Sequence, residues 1–162
     1  MIANAKLTES SKVINAFGPA VPSTSSSQYI SLKNYNRCSI VINFLNGSTV
    51  TGSAIGLTQA TAVAGTGAKT LAFTTVDQNV DCAAGDTLTA TAVASNTFTT
   101  NTTNSKALLY VIEVKASDLD VANSFDCLKV TLATGANTTG QVTYILRDPR
   151  FADASPPTAI VD

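Results

Sequence analysis

Three apolar runs follow one another in the last third of the chain: ALLYVIEV at 107–114, FDCLKVTLA at 125–133 and QVTYILR at 141–147. Each is too short for a long helix and rich in the β-branched and aromatic residues that suit a pleated, packed surface. The first has little polar interruption; Leu108, Leu109, Tyr110, Val111, Ile112 and Val114 predict a central strand buried on both faces. In the second, Leu128, Val130 and Leu132 alternate with Cys127, Lys129 and Thr131, so one face is wetter, and in the third Val142, Tyr144 and Leu146 share a face.

The preceding sequence repeats this pattern more weakly. A short strand is expected over 28–32 and a turn over 34–37. In CSIVINFLNG, Cys38, Ile40, Ile42 and Phe44 lie on a core face, with Ser39, Val41, Asn43 and Leu45 on a partly solvated one. Asn46-Gly47 is a tight-turn signal. A strand over 53–63 points Ile55 and Leu57 inward, and one over 70–76 places Leu71 and Phe73 together. Residues 87–93 and 97–102 read as a Thr-rich pair of strands joined through 94–96. The segment KASDLDVANS carries the chain's helical punctuation, with Ser117 or Asp118 as cap of one turn containing Leu119 and Val121. Eight or nine short strands with almost no helix predict an all-β fold, an antiparallel β-sandwich with jelly-roll or Greek-key connections.

Two ends fall outside that pattern. Residues 1–26 hold Val13, Ile14 and Phe17 beside Gly18, Pro19 and Pro22, then run into a Ser/Thr neck; residues 148–162 hold Pro149, Pro156 and Pro157 before Ala159-Ile160-Val161. Prolines cannot donate to a sheet ladder, and a Ser/Thr run buries no apolar area. The expected organisation is therefore an extended N-terminal arm (1–26), a sandwich domain (27–147) and an extended C-terminal tail (148–162). The final apolar triplet returns to its own domain or lies on a partner.

Composition bears on chemistry chiefly by what it lacks. Among 162 residues there is no histidine, which removes the commonest general base, the usual Ser and Cys nucleophile pairs and most zinc sites. Charged residues make up 13% and the net charge is -1, so a run of phosphates has no basic surface to meet, and no nucleic-acid partner is expected. Ser and Thr are about a quarter of the chain, a hydroxyl-rich composition suited to extracellular or assembled structural proteins. No run of about 18 apolar residues is present, so no membrane span is expected, and MIANAKLTES lacks the pattern of a secretory signal, so synthesis in the cytoplasm is expected unless a leader has already been removed. Cys38, Cys82 and Cys127 show no metal or redox spacing and are expected as buried free thiols. AGTGAK at 64–69 fails the phosphate-loop spacing. Asp118, Asp120 and Asp126 offer oxygen ligands for a structural calcium ion, but the spacing departs from an EF-hand loop and solvated turn roles are favoured. No cofactor and no enzymatic activity are expected.

The run LLYVIEVKASDLDVANSFDCLKVTL, then VTYILRDPRFA and the ending PPTAIVD, resemble a family of small tailed-bacteriophage virion proteins of the capsid decoration, or cement, type. The resemblance covers about two thirds of the chain, from KNYNRCSIVI onward. It implies a β-rich virion protein on the capsid exterior that bridges neighbouring copies of the major capsid protein, and a homo-oligomer, with a trimer favoured. On that reading Val13, Ile14 and Phe17 in the arm, and Arg147, Arg150, Phe151 and Ile160 at the other end, are the expected partner contacts, because apolar and Arg residues are enriched at interfaces. The alternative is a receptor- or carbohydrate-binding β-sandwich of a phage fibre or surface adhesin. Against it, Trp is absent and aromatics are 6% of the chain, whereas sugar sites favour flat aromatic faces.

Overall fold

The computed structural model describes residues 6–22, 27–94, 96–151 and 156–161. The Ser/Thr neck at 23–26 lies outside the described residues. Among the described residues eleven strands form two antiparallel sheets that enclose one core. The larger sheet contains β1 (Lys12–Ala20), β3 (Tyr35–Asn46), β6 (Thr75–Asn79), β7 (Thr89–Ala92), β9 (Ala107–Lys115) and β11 (Thr138–Pro149), in the order β1-β11-β3-β9-β6-β7. The smaller contains β2 (Ile30–Ser31), β4 (Ala54–Ala60), β5 (Lys69–Leu71) and β10 (Cys127–Leu132) in the order β2-β10-β4-β5, with β8 (Thr97–Thr99) also paired to β4. The all-β sandwich is thus as expected.

Period-two alternation builds the core. Cys38, Ile40, Ile42 and Phe44 of β3, Leu128, Val130 and Leu132 of β10, and Val142, Tyr144 and Leu146 of β11 are all buried, as are Ile55 and Leu57 of β4. Each aliphatic side chain of this set contributes roughly 1.5–3 kcal/mol through burial. The strand expected to be buried on both faces, β9, is not. Leu108, Tyr110, Ile112 and Val114 face the core, Leu109 and Val111 are half-buried, and Glu113 is exposed. Its neighbours β3 and β6 flank it in the sheet, but the opposing sheet covers one face of the strand.

Two further expectations change. The Thr-rich strands do not pair with each other: β7 joins β6 in the larger sheet and β8 joins β4 in the smaller. The predicted strand over 70–76 divides into β5 and β6, one in each sheet, with Leu71 and Phe73 buried at the crossing. Among the described strands, β4–β5 and β6–β7 are the two successive pairs that stay within a sheet; every other connection passes from one sheet to the other.

The N-terminal segment is also not a free arm. Residues 12–20 form the edge of the larger sheet, paired antiparallel with β11 from Lys12↔Leu146 to Ala20↔Gly140. Pro19 does not prevent this because it sits on an edge strand beside two register shifts, where a missing donor is tolerated. Gly18 is required there. Its φ is +77°, and a Cβ would stand 2.2 Å from the Gly140 carbonyl oxygen. The C-terminal segment also returns to its own domain: Ala159 is buried, and its carbonyl accepts from the Ser31 N–H at 2.7 Å.

Three fully buried tyrosines tie the layers and ends together. Tyr144 reaches from β11 across the core. Its hydroxyl accepts from the Val130 N–H of β10 at 2.9 Å and shares a 2.8 Å hydrogen bond with Ser27, whose hydroxyl also donates to the Val130 carbonyl at 2.7 Å. These bonds satisfy the edge of β10 where two-residue β2 has ended. Tyr110 of β9 accepts from the Asn101 N–H at 2.7 Å, and Tyr35 donates to the Pro157 carbonyl. Asn46, expected to mark a tight turn, is instead a buried bracket. Its amide donates to the Asn101 and Thr103 carbonyls at 2.9 Å each and accepts from Thr138 at 3.1 Å.

Candidate docking surface

The residues that alternate with the core positions of β1, β11, β3, β9 and β6 share the outer face of the larger sheet. Strand register arranges them in cross-strand rows. One row runs Val13, Ile145, Ser39, Glu113; the next runs Asn15, Thr143, Val41, Val111, Asp77; a third runs Gln141, Asn43, Leu109, Asn79. Leu45 and Ala107 adjoin at the far end. Val13 and Leu45 are 43% and 60% exposed, and Val41, Leu109, Val111 and Ile145 are half-buried. This outer face is therefore broad, aliphatic and hydroxyl- or amide-bearing along most of its length.

At the opposite end charge is concentrated. Arg147, Arg37 and Lys115 are directly paired across β11, β3 and β9. Like charges facing one another across strands are destabilising by up to about 1 kcal/mol per pair. Two acids temper the row: Glu113 binds Arg147 at 2.7 Å, and Asp148 lies 3.8 Å from Arg37. All four side chains are substantially exposed, so these pairs contribute little to stability. The Nε of Arg147 is buried without a hydrogen-bond partner.

The expected partner contacts fall into separate places. Val13 lies on the outer face. Ile14 faces inward opposite Tyr144 by plain alternation, and Phe17 does so because the shift between Asn15 and Phe17 sets two residues against one on β11; both pack against their own core. Arg147 belongs to the cationic row. Arg150 follows it with its N–H fixed to the Asn34 carbonyl at 2.9 Å, and its side chain lines a trough beside that row. Phe151 and Ile160 are 65% and 51% exposed. Sequence reasoning missed Val41, Leu45, Leu109, Val111 and Ile145. Their signal was present in the second-face alternation of three strands that proved to be neighbours.

The aspartates near the helical punctuation have local partners. Two 3-10 turns, Ala116–Asp118 and Val121–Asn123, replace the one turn expected, with Leu119 buried between them. The Asp118 carboxylate accepts from the Lys115 N–H at 2.8 Å. Asp120 pairs with Lys69 and accepts from the Asn123 amide at 2.8 and 2.9 Å, and the Lys69 hydrogen bond holds its carboxyl below the ordinary value. Among the described residues no group of three or more acidic, Cys or His side chains is placed to hold a metal ion. Cys38 and Cys127 are buried, but Cys82 is exposed, contrary to expectation, because it lies in the turn region after β6. Burial pushes the Cys38 thiol far above its usual range.

Comparison of the chain with protein-family models, with curated proteins and with solved structures found no match.

Proposed function

We propose that this chain is a non-enzymatic virion structural protein that binds the outside of a phage capsid and bridges major capsid subunits to stabilise the head. The observation that carries the reading is the outer face of the larger sheet, five strands wide in its middle row, aliphatic at its centre and cationic at one end. Such a face suits a large subunit contact with little need for a cleft. The resemblance of 107–147 and of the C-terminal segment to decoration proteins points the same way. A homotrimer presenting several copies of the face would gain avidity on a repeating lattice, and bound copies stabilise that lattice by mass action.

The test uses heads of the phage that encodes the chain, prepared without it. Wild-type protein should co-sediment with them and raise their dissociation temperature. Val111→Glu and Leu45→Glu should lose binding while the isolated protein keeps its far-UV spectrum and melting temperature. Absence of co-sedimentation by wild-type protein would refute the capsid reading, and selective binding on a glycan array would favour the adhesin alternative.

A further inference from the structure

A trough runs across the cationic end of the sandwich, in two lobes that share Ala116, Val121 and Arg150. One lobe, about 240 Å³, passes over Leu32 and Phe125 between Lys33 and Arg150. The other, about 420 Å³, continues to Arg37 and Lys115. Leu32, Ala116 and Phe125 are buried at 1%, 7% and 8% exposure and give the trough an apolar floor. Four of the chain's ten cations line it, against one acid, Asp126, whose carboxylate takes the Cys127 thiol hydrogen at 3.1 Å. Asp148 and Asp118 stand nearby, the first 3.8 Å from Arg37 and the second bonded to the Lys115 backbone. Among the described residues the side chains of Lys33, Lys115 and Arg150 have no ion-pair partner.

The geometry points to a binding trough for an extended acidic peptide segment, carrying an apolar residue among its carboxylates and supplied by a neighbouring protein. Charge complementarity selects this occupant. In a chain of net charge -1 with few charged residues, four cations gathered in one depression form a local anion site without a general affinity for polyanions. Guanidinium groups at Arg37 and Arg150 present forks that match carboxylates, and lysines at each end add adaptable point charges. The apolar floor between them distinguishes the ligand from a bare phosphate backbone, for which it offers no exposed stacking face. An aliphatic side chain fits there, flanked by carboxylates. This inference concerns the chemistry of the partner and does not depend on that partner being a capsid.

The test measures fluorescence anisotropy of labelled peptides of about eight residues, a length suited to groove recognition, added to the full chain. An Asp/Glu–Leu peptide should bind, while Ser–Leu and Lys–Leu versions should not. Arg150→Glu and Lys115→Glu should each weaken binding at least about tenfold, as expected for reversing one contact of a close charge pair. Raising salt from about 50 to about 500 mM should weaken it as well. Lys12→Glu, on edge strand β1, should bind as wild type does. The proposal is overturned if the acidic peptide does not bind, if both trough variants bind it normally, or if an oligothymidylate binds equally tightly. No head is present in this assay, so its failure leaves the capsid reading untouched.

Discussion

Replacing Tyr144 by Phe removes one oxygen and leaves the buried ring in place, so its effect isolates the hydrogen bonds that join the sheets. Ser27, the Val130 N–H and, through a long 3.5 Å bond, the Gln28 carbonyl lose their contact. The Ser27 hydroxyl retains its 2.7 Å bond to the Val130 carbonyl, but the Val130 N–H, buried and beyond the end of β2, is left unpaired. Leaving a buried donor unsatisfied costs roughly 1–3 kcal/mol, and the lost Ser27 bond adds about 0.5–1 kcal/mol, which together centre on a little under about 3 kcal/mol. For a chain of this length each kcal/mol lowers the melting temperature by about 2–4 °C, so Tyr144→Phe should melt about 5–10 °C below wild type. Tyr35→Phe is the comparator. It frees the carbonyl of the part-exposed residue Pro157, which water can reach, and should lower stability by about 0.5–1 kcal/mol. Chemical denaturation followed by circular dichroism, with equal m-values for the three proteins, supplies the free energies. A Tyr144→Phe loss no larger than that of Tyr35→Phe would show that the cross-sheet bonds do not bear on stability as argued.

Two other predictions follow from titratable groups. Asp120 has a folded-state value below that of the unfolded chain, so its contribution is present above about pH 3.9 and is lost as pH falls through the lower folded value. Asp120→Asn should therefore be less stable than wild type at pH 6, with the two melting curves converging toward pH 2; a constant gap across that range would contradict the assignment. In the native protein a maleimide should label Cys82 alone of the three thiols, and all three should react in guanidinium chloride. Rapid native labelling of Cys38 or Cys127, read by mass spectrometry of the peptides, would contradict their burial.

The core of the sandwich is legible in the sequence because alternation is local. Cys38, Ile40, Ile42 and Phe44 share a face whatever strand lies beside them. Sheet membership is not local, and so the Thr-rich strands β7 and β8, adjacent in sequence, part company across the core. The same gap explains the outer face. Leu109 and Val111 looked like core because an apolar run does not distinguish a face packed on its own domain from one kept half-covered. A proline at position 19 argues against a strand and so against burial of Ile14 and Phe17, and two register shifts on an edge remove that objection. The cationic row was hidden for a different reason: Arg37, Lys115 and Arg147 lie far apart in sequence and meet through strand register alone.

The order β1-β11-β3 has a consequence for how the protein is made. Strand β11, near the end of the chain, inserts between two of the earliest, so β1 lacks its ladder partner and β3 has one bare edge until translation has passed residue 149. Contacts this distant in sequence close slowly, and unpaired edges in the interval invite pairing with other chains. A ribosome stalled before β11 would therefore hold a half-built sheet whose core-facing side chains from β3 are already out of the tunnel, and the last strand acts as the keystone that lets the first one dock.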